Sequence, residues 1–398
     1  MWEKLARVLL VVISCIVGFV ICEIGYRFVL NRDEEARWQP SNSFTVYSDS
    51  VWEFDAATGY TYRPNSRVTI AYLQDGIPRR CDTFETDGNG DPGAGAGLAR
   101  AEDAKFIVIG DSFTAKVQKG ETWPDLLARS MQTPILNKAH DGYGVLQMFD
   151  EAAQLVRLGY HPSAFLISFT GPALSLARFW RMTRVTNGVT EVFTSATPSL
   201  DVQPESHVRT TFVDKRATQS WCEAAAASGK ADQTARDLVQ AFDATRRADE
   251  AFFGHRLRLF SVTDCYLCNL LFYGGPLRSV TPISVNPSLT LTRFDEDDQF
   301  VRAVSQIRAS GIPIWLVYLP YAPELSRGSK LVTAQQYSLL ENLKTHADRF
   351  IDLTPLWPMG DGMVPLTMLP VDMHPSYAGL EYYADTLHRA LIDLKVAN

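Results

Sequence analysis

Short apolar runs alternate with longer amphipathic segments along most of the chain after residue 103. Continuous apolar runs are typical of strands that are buried on both faces of a parallel sheet. They predict strands at 105–109, 134–136, 164–169, 312–319 and 350–353. Apolar residues that recur every three to four positions predict helices at 122–131, 145–158, 295–310, 334–347 and 380–394. This alternation predicts an α/β fold in which helices cover both faces of a parallel sheet.

Two long segments, 31–103 and 175–294, do not follow the alternation. The first is polar and aromatic, predicts one short strand at 68–70, and ends in a glycine-rich stretch at 87–103 that disfavours both helix and strand. The second carries weaker patterns, which predict two helices and one strand, at 224–227, 231–250 and 189–194. We interpret the first segment as a stem and flexible linker. The second is an insertion or cap within a main domain that spans 104–398.

Residues 1–30 contain an apolar run whose later part is interrupted only by Glu23 and Arg27. A helix of roughly twenty residues is long enough to cross the hydrocarbon core of a bilayer. Lys4 and Arg7 precede the run, which predicts a cytoplasmic N-terminus and an extracytoplasmic main domain under the positive-inside rule. In a Gram-negative source the main domain would be periplasmic. A cleaved signal peptide is the alternative to this signal-anchor, but no small-x-small cleavage site follows the run.

Composition and cysteine usage narrow the function classes. The net charge of −7 argues against nucleic-acid binding, for which a basic face is the usual footprint. Four cysteines lie outside the predicted membrane span and would face an oxidising compartment, namely Cys81, Cys222, Cys265 and Cys268. We expect at least one disulfide, most readily at Cys265 or Cys268, and the sequence leaves the pairing open. A single C-x-x-C pair without a second one does not predict a zinc site, and no other metal or cofactor is expected.

Two short motifs carry the candidate chemistry. Ser112 lies three residues beyond a predicted strand, within the motif Gly-Asp-Ser-Phe-Thr at 110–114. Asp372 and His374 lie two residues apart, directly before the last predicted helix. A serine at the carboxyl end of a strand, with an Asp–His pair to activate it, is the composition of a Ser-His-Asp hydrolase site. The alternatives are a helix-capping serine and a capped loop before a helix.

These motifs, with the segment 137–144, resemble the SGNH (GDSL-type) hydrolase family, in its membrane-anchored bacterial type, over residues 101–398. The resemblance implies a flavodoxin-like three-layer sandwich. It also implies that Ser112 is the nucleophile, His374 the base and Asp372 the residue that orients the imidazole. The backbone N–H groups of Ser112 and Gly142 would form the oxyanion hole, although Gly142 is also explained as an ordinary turn glycine.

The chain departs from this family at the third conserved block. The family ends its third strand with G-x-N-D, whose Asn side chain completes the oxyanion hole, whereas this strand continues Thr170-Gly171-Pro172-Ala173. Loss of one oxyanion donor typically lowers the rate by about 10²- to 10³-fold. Thr170 and Asn137 are the candidates for a replacement donor, and the sequence does not choose between them. The Asp–His spacing is also D-x-H, where D-x-x-H is common in the family.

The expected function is therefore a membrane-anchored ester hydrolase that acts on an ester-bearing small molecule or an envelope glycan. One alternative is a catalytically degraded SGNH-like domain that serves as an accessory subunit of a membrane protein complex, because the third-block Asn is missing. Another is O-acetyl transfer on cell-envelope glycans with the same residues.

Overall fold

The computed structural model describes residues 43–74, 77–93, 103–186, 189–195, 208–213, 215–227, 289–320, 334–358, 365–368 and 372–394, together with the isolated positions 14 and 18. The predicted membrane anchor at 1–30 therefore lies outside the described residues, except at those two positions. Within the described residues, no helix combines the length and the hydropathy that a bilayer-spanning segment needs.

The described strands are β1 (Ser43–Tyr47), β2 (Trp52–Asp55), β3 (Gly59–Tyr62), β4 (Arg67–Gln74), β5 (Ile77–Glu85), β6 (Phe106–Gly110), β7 (Ile135–Asn137), β8 (Ala164–Phe169), β9 (Trp180–Thr186), β10 (Val189–Ser195), β11 (Val208–Val213), β12 (Ile314–Tyr318) and β13 (Arg349–Asp352). The described helices are α1 (Ser112–Ala115), α2 (Trp123–Met131), α3 (Val145–Arg157), α4 (Lys215–Ala227), α5 (Asp298–Ala309), α6 (Ala334–Lys344) and α7 (Tyr377–Asp393).

A five-stranded sheet of order β13-β12-β8-β6-β7 forms the centre of the main domain. All four of its strand pairs are parallel. Numbered in chain order within the sheet, these strands run 5-4-3-1-2, which is the flavodoxin-like order read from the other edge. The predicted parallel α/β sheet is confirmed. The strand order reverses between β6 and β8, so the loops after β6 and β8 lie where such sheets place their functional groups.

Alternating side chains of the central strands build two separate cores. Ile107 and Ile109 of β6 pack on one face of the sheet, where helices α3 and α5 cover them. Phe106 and Val108 pack on the opposite face, under α2 and α7. All five residues of β6 are buried, which explains why this strand is apolar throughout rather than alternating. The prediction that helices cover both faces is confirmed.

The segments that interrupt the α/β pattern fold together into a second, six-stranded sheet of order β5-β4-β1-β11-β10-β9. Strands β1, β4 and β5 come from the predicted stem, and β9 to β11 come from the predicted insertion. The two segments meet where β1 pairs in parallel with β11. We call residues 43–85 and 180–213, within their described parts, the β-rich region. The sequence predicted one strand in this stem, at 68–70, whereas the structure has five.

A disulfide and a buried hairpin hold the β-rich region in place. A disulfide joins Cys81 on β5 to Cys222 on α4, so the expectation of at least one bridge is confirmed. Cys265 and Cys268, the expected participants, lie outside the described residues. The hairpin of β2 and β3 packs its buried tyrosines, Tyr60 and Tyr62, into the same core as α3. The stem is therefore part of the wall around the loops that follow the parallel strands.

Candidate active site

The Gly-Asp-Ser motif forms the sharp turn between strand β6 and helix α1. A Cβ atom at Gly110 would lie 2.4 Å from Ser168 Oγ, so close strand packing requires glycine there. Asp111 caps α1, because its Oδ1 accepts a hydrogen bond from the Phe113 N–H at 2.9 Å. Ser112 is consequently the first residue of the helix and lies at the carboxyl end of the strand, half-buried.

Asp111 also ties this turn to the neighbouring strand. Its Oδ2 accepts hydrogen bonds from the backbone N–H and the hydroxyl of Thr170, at 3.1 Å and 2.8 Å. Burial raises the pKa of the Asp111 carboxyl, and these donors oppose that rise. Three hydrogen bonds to one buried side chain hold the backbone on both sides of Ser112 in place.

The structure brings Ser112, His374 and Asp372 into one chain of hydrogen bonds. Ser112 Oγ lies 2.7 Å from His374 Nε2, and His374 Nδ1 lies 2.6 Å from Asp372 Oδ1. This network is consistent with Nδ1–H donating to the carboxylate and Nε2 accepting from the serine hydroxyl. Burial alone would raise the pKa of Asp372, but the charge and hydrogen bond of His374, with the charge of Lys116, hold that pKa well below its usual range. The carboxylate is therefore ionised at neutral pH.

The loop that carries Asp372 and His374 is held against a short neighbouring segment. The Met368 N–H donates to the His374 carbonyl at 2.9 Å, and the Asp372 N–H donates to the Met368 carbonyl at 3.2 Å. The ring of Phe113 packs against the imidazole with centroids 4.8 Å apart. Ser376 then caps α7 by accepting from the Gly379 N–H. The D-x-H spacing thus suffices to align the carboxylate with the imidazole.

Gly142, the predicted second oxyanion donor, lies in the loop between β7 and α3. Its φ of +87° favours glycine on conformational grounds alone. The residue before it is held by the stem, because Asp141 N–H donates to the Tyr62 hydroxyl at 2.7 Å and the Tyr60 hydroxyl donates to the Asp141 carbonyl at 2.6 Å. His140 N–H donates to the Gly110 carbonyl at 2.9 Å, so the loop lies against the end of β6.

His140, in the same loop, is a structural residue. Its ring stacks between Tyr62 and Tyr143, with centroid distances of 4.9 Å and 4.5 Å. Burial lowers the pKa of His140 to about 3, so the ring is neutral. Nδ1 lies 3.2 Å from the Lys138 carbonyl, and Nε2 lies 3.2 Å from the Thr61 hydroxyl. The neutral ring can donate through the first nitrogen and accept through the second, which leaves no nitrogen for general-base work.

Both candidates for the missing third-block donor have structural partners. The Thr170 hydroxyl donates to Asp111, as described above. The Asn137 Nδ2 group donates to Thr122 Oγ1 at 3.1 Å and to the Thr114 carbonyl at 3.4 Å. Pro172, in the same segment, has no backbone N–H to offer. The Thr170 hydroxyl and the Asn137 amide thus both have hydrogen-bond partners within the fold.

Four residues around the site were not singled out from the sequence: Tyr60, Tyr62, Tyr72 and Lys116. The period-two spacing of Tyr60 and Tyr62 is a strand signal, but it contains nothing about the distant loop they hold. Lys116 follows Ser112 by four residues, and this spacing is the sequence signal that would place the two residues next to each other on a helical turn. No group of three or more metal-ligating side chains occurs among the described residues.

Among known proteins, the chain is similar to several solved structures. No protein-family model matches the chain, and the search of curated proteins finds no match. The chain is similar to a lipolytic protein of the G-D-S-L family from Desulfitobacterium hafniense DCB-2, at 12% identity and a TM-score of 0.32, over 72% of this chain and 99% of that one. It is also similar to a lipase/acylhydrolase from Enterococcus faecalis, at 13% identity and a TM-score of 0.31, over 72% and 95%.

A third similar structure is a family two carbohydrate esterase from Clostridium thermocellum, solved with cellohexaose. Its identity is 10% and its TM-score 0.33, over 89% of this chain and 100% of that one. All three solved proteins are lipolytic or esterase proteins by description, and the first is of the GDSL family that the sequence motifs resemble.

Proposed function

We propose that this chain is an SGNH-like ester hydrolase with Ser112 as its nucleophile. The observation that carries the proposal is the hydrogen-bond chain of 2.7 Å and 2.6 Å from the serine hydroxyl through His374 to Asp372. A serine hydroxyl becomes nucleophilic only beside a base, and a base of this kind needs an orienting acceptor on its other nitrogen. An accessory subunit would have no need to keep these three groups aligned, which favours the enzyme over the degraded domain.

The reaction follows from the positions of these atoms. Ser112 Oγ forms a bond to the acyl carbon of the ester while His374 Nε2 takes its proton. Asp372 stabilises the imidazolium that results, and the oxyanion accepts hydrogen bonds from the backbone N–H groups of Ser112 and Gly142. The bond to the alcohol oxygen then breaks as His374 returns the proton to it. Water repeats the sequence on the acyl-serine and releases the acid.

A transferase would use the same residues with a glycan hydroxyl in place of water in the second half-reaction. Hydrolysis remains the primary proposal because water needs no acceptor site. Incubation of the protein with an acetyl donor and an envelope glycan distinguishes hydrolysis, the first case, from acetyl transfer, the second. Acetate appears in the first case, and an acetylated glycan in the second.

We further propose that the protein is a single-pass membrane protein whose main domain is extracytoplasmic. The apolar run at 8–30, with Lys4 and Arg7 before it, motivates the proposal. The disulfide between Cys81 and Cys222 supports it, because such bonds persist in oxidising compartments. Protease added to intact spheroplasts should digest residues 31–398. Full protection of that region would contradict this topology.

A fluorophosphonate probe tests the enzyme proposal most directly. Purified wild-type protein should acquire one phosphonyl group, and peptide mass spectrometry should locate it on Ser112. The chain contains a matched control, since the exposed Ser130 has its Oγ 2.9 Å from His388 Nδ1. We expect no label on Ser130. Absence of label on Ser112 would favour the accessory-subunit function instead, and co-purification of the intact membrane complex would test that.

A further inference from the structure

Lys116 contacts the candidate triad from the side opposite the histidine. It follows helix α1 directly, so it is anchored to the same turn as Ser112. Its Nζ lies 3.7 Å from Asp372 Oδ2, whereas Asp372 Oδ1 faces His374. The Lys116 side chain is only 12% exposed. The two carboxylate oxygens of Asp372 thus have different partners, the imidazole and the ammonium group.

The ammonium group is itself held by the stem. Lys116 Nζ hydrogen bonds to the Tyr72 hydroxyl and lies 4.5 Å from the centroid of the same ring. Tyr72 belongs to β4 of the six-stranded sheet and is 2% exposed. A cation over an aromatic face and against its hydroxyl has little freedom to leave the carboxylate.

The charges around Lys116 single out Asp372 as its partner. The charged side chains that face Lys116 are Asp372, Asp82, Asp141 and Arg80. Arg80 Nε pairs with Asp82 at 2.8 Å, and Arg181 pairs with Asp141 at 3.0 Å, so these two carboxylates have cations of their own. Burial lowers the pKa of the Lys116 ammonium, and the nearby carboxylates, Asp372 first, oppose that shift.

We propose that Lys116 is a positioning residue of the site, which holds the Asp372 carboxylate through Oδ2 so that Oδ1 stays aligned with His374. This inference rests on the proposed function. His374 lies beside two carboxylates, Asp372 and the buried Asp111. The ammonium group offsets part of that negative charge. Lys116 therefore restrains Asp372 through the carboxylate oxygen that His374 does not contact.

The experiment is a titration of His374 by NMR in the full-length protein labelled with 13C-histidine, with the resonance assigned by its loss in His374→Gln. In Lys116→Met the midpoint should rise by about 0.5 to 1 unit, because a neighbouring positive charge has been removed. The acid limb of kcat/KM should move with it, so that activity on that limb falls about three- to tenfold. Lys116→Arg should stay within about 0.3 unit of wild type. Tyr72→Phe should shift the midpoint upward by less than Lys116→Met.

Lys119→Met is the matched control, because Lys119 is exposed and lies over the Tyr377 ring instead. An unchanged midpoint in Lys116→Met, or an equal shift in Lys119→Met, overturns the inference. If Lys116→Met does not fold, Lys116→Gln undergoes the same titration with the same expected result. The titration needs no turnover, so it also decides the role of Lys116 if the wild type neither hydrolyses esters nor reacts with a fluorophosphonate. A wild type that neither hydrolyses esters nor reacts with the probe would contradict the proposed function but would leave the inference about Lys116 standing.

Discussion

The two sheets of this molecule contribute differently to the candidate site. The parallel sheet presents Ser112 after β6, the Gly142 loop after β7, and the loop of Asp372 and His374 before α7. The β-rich region supplies none of these groups, yet Tyr62 holds the Gly142 loop and Tyr72 holds Lys116. The groups that we propose to react therefore come from one region, and side chains that restrain them come from the other. Substitutions in the two regions should accordingly differ in the size and kind of their effects.

The largest effect should come from the parallel sheet, at the nucleophile. We expect Ser112→Ala to lower kcat/KM for a short-chain aryl ester by at least about 10⁴-fold, since the proposed acyl bond forms at the hydroxyl that it removes. The melting temperature should stay unchanged because the hydroxyl is half-buried and its loss leaves no apolar cavity. Ser130→Ala, which removes the surface serine beside His388, should keep wild-type activity. Equal rates for wild type and Ser112→Ala would contradict the assignment.

Asp372→Asn should produce the next largest effect, a loss of about 10³- to 10⁴-fold in kcat, because the amide no longer fixes the imidazole in the required tautomer. The substitution should also change acid stability. The native pKa of Asp372 is depressed, so its contribution to stability is full above the unfolded value near 4 and is lost as pH falls below it. The unfolding free energy of Asp372→Asn should thus depend less on pH in that range. Asp385→Asn, at an exposed position of α7, should change neither quantity.

The same division explains which part of the fold could be predicted. Every strand of the parallel sheet was expected from its apolar run, and Thr122 with Asp125 forms the capping interaction that begins α2. These signals are local, and each lies within a few residues of the element it specifies. The six-stranded sheet depends instead on pairing between β1 and β11, which lie far apart in the chain. Of its six strands the sequence predicted parts of only two, at 68–70 in β4 and at 189–194 in β10, because strand preference depends on pairing partners that local patterns do not contain.

The site divides in the same way. Ser112, Asp372 and His374 could be proposed from the sequence because hydrolytic chemistry restricts which residue types suit a nucleophile, a base and its orienting acceptor, and the structure brings the three together. The hydroxyls of Tyr62 and Tyr72 contact residues that lie far away in the chain, Asp141 and Lys116. The sequence around each tyrosine does not distinguish it from any other buried strand tyrosine. Lys116 has no local sequence signal of its role, because its partner Asp372 lies far away in the chain.

A smaller effect should follow from loosening the Gly142 loop through the β-rich region. Tyr62→Phe removes the hydroxyl that accepts from the Asp141 N–H, and we expect kcat to fall about five- to tenfold, or roughly 1–1.5 kcal/mol, because the next N–H is less well directed at the oxyanion. KM should change little. Tyr382→Phe is the matched control, since its hydroxyl bonds to the Leu356 carbonyl on the surface. An unchanged kcat in Tyr62→Phe would mean that the loop holds its shape without the stem.

The smallest effect on activity should come from the disulfide, although its effect on stability is substantial. Replacing Cys81 and Cys222 by serine removes a cross-link between residues 141 apart in sequence, and we expect the free energy of unfolding to fall by about 2–4 kcal/mol in a denaturant titration. Turnover at 25 °C should change less than about twofold. Cys81 lies between Arg80 and Asp82, which neutralise each other beside Lys116. A fall in turnover much larger than twofold in folded protein would mean that β5 positions the site directly, and that the two regions divide the work less cleanly than their hydrogen bonds imply.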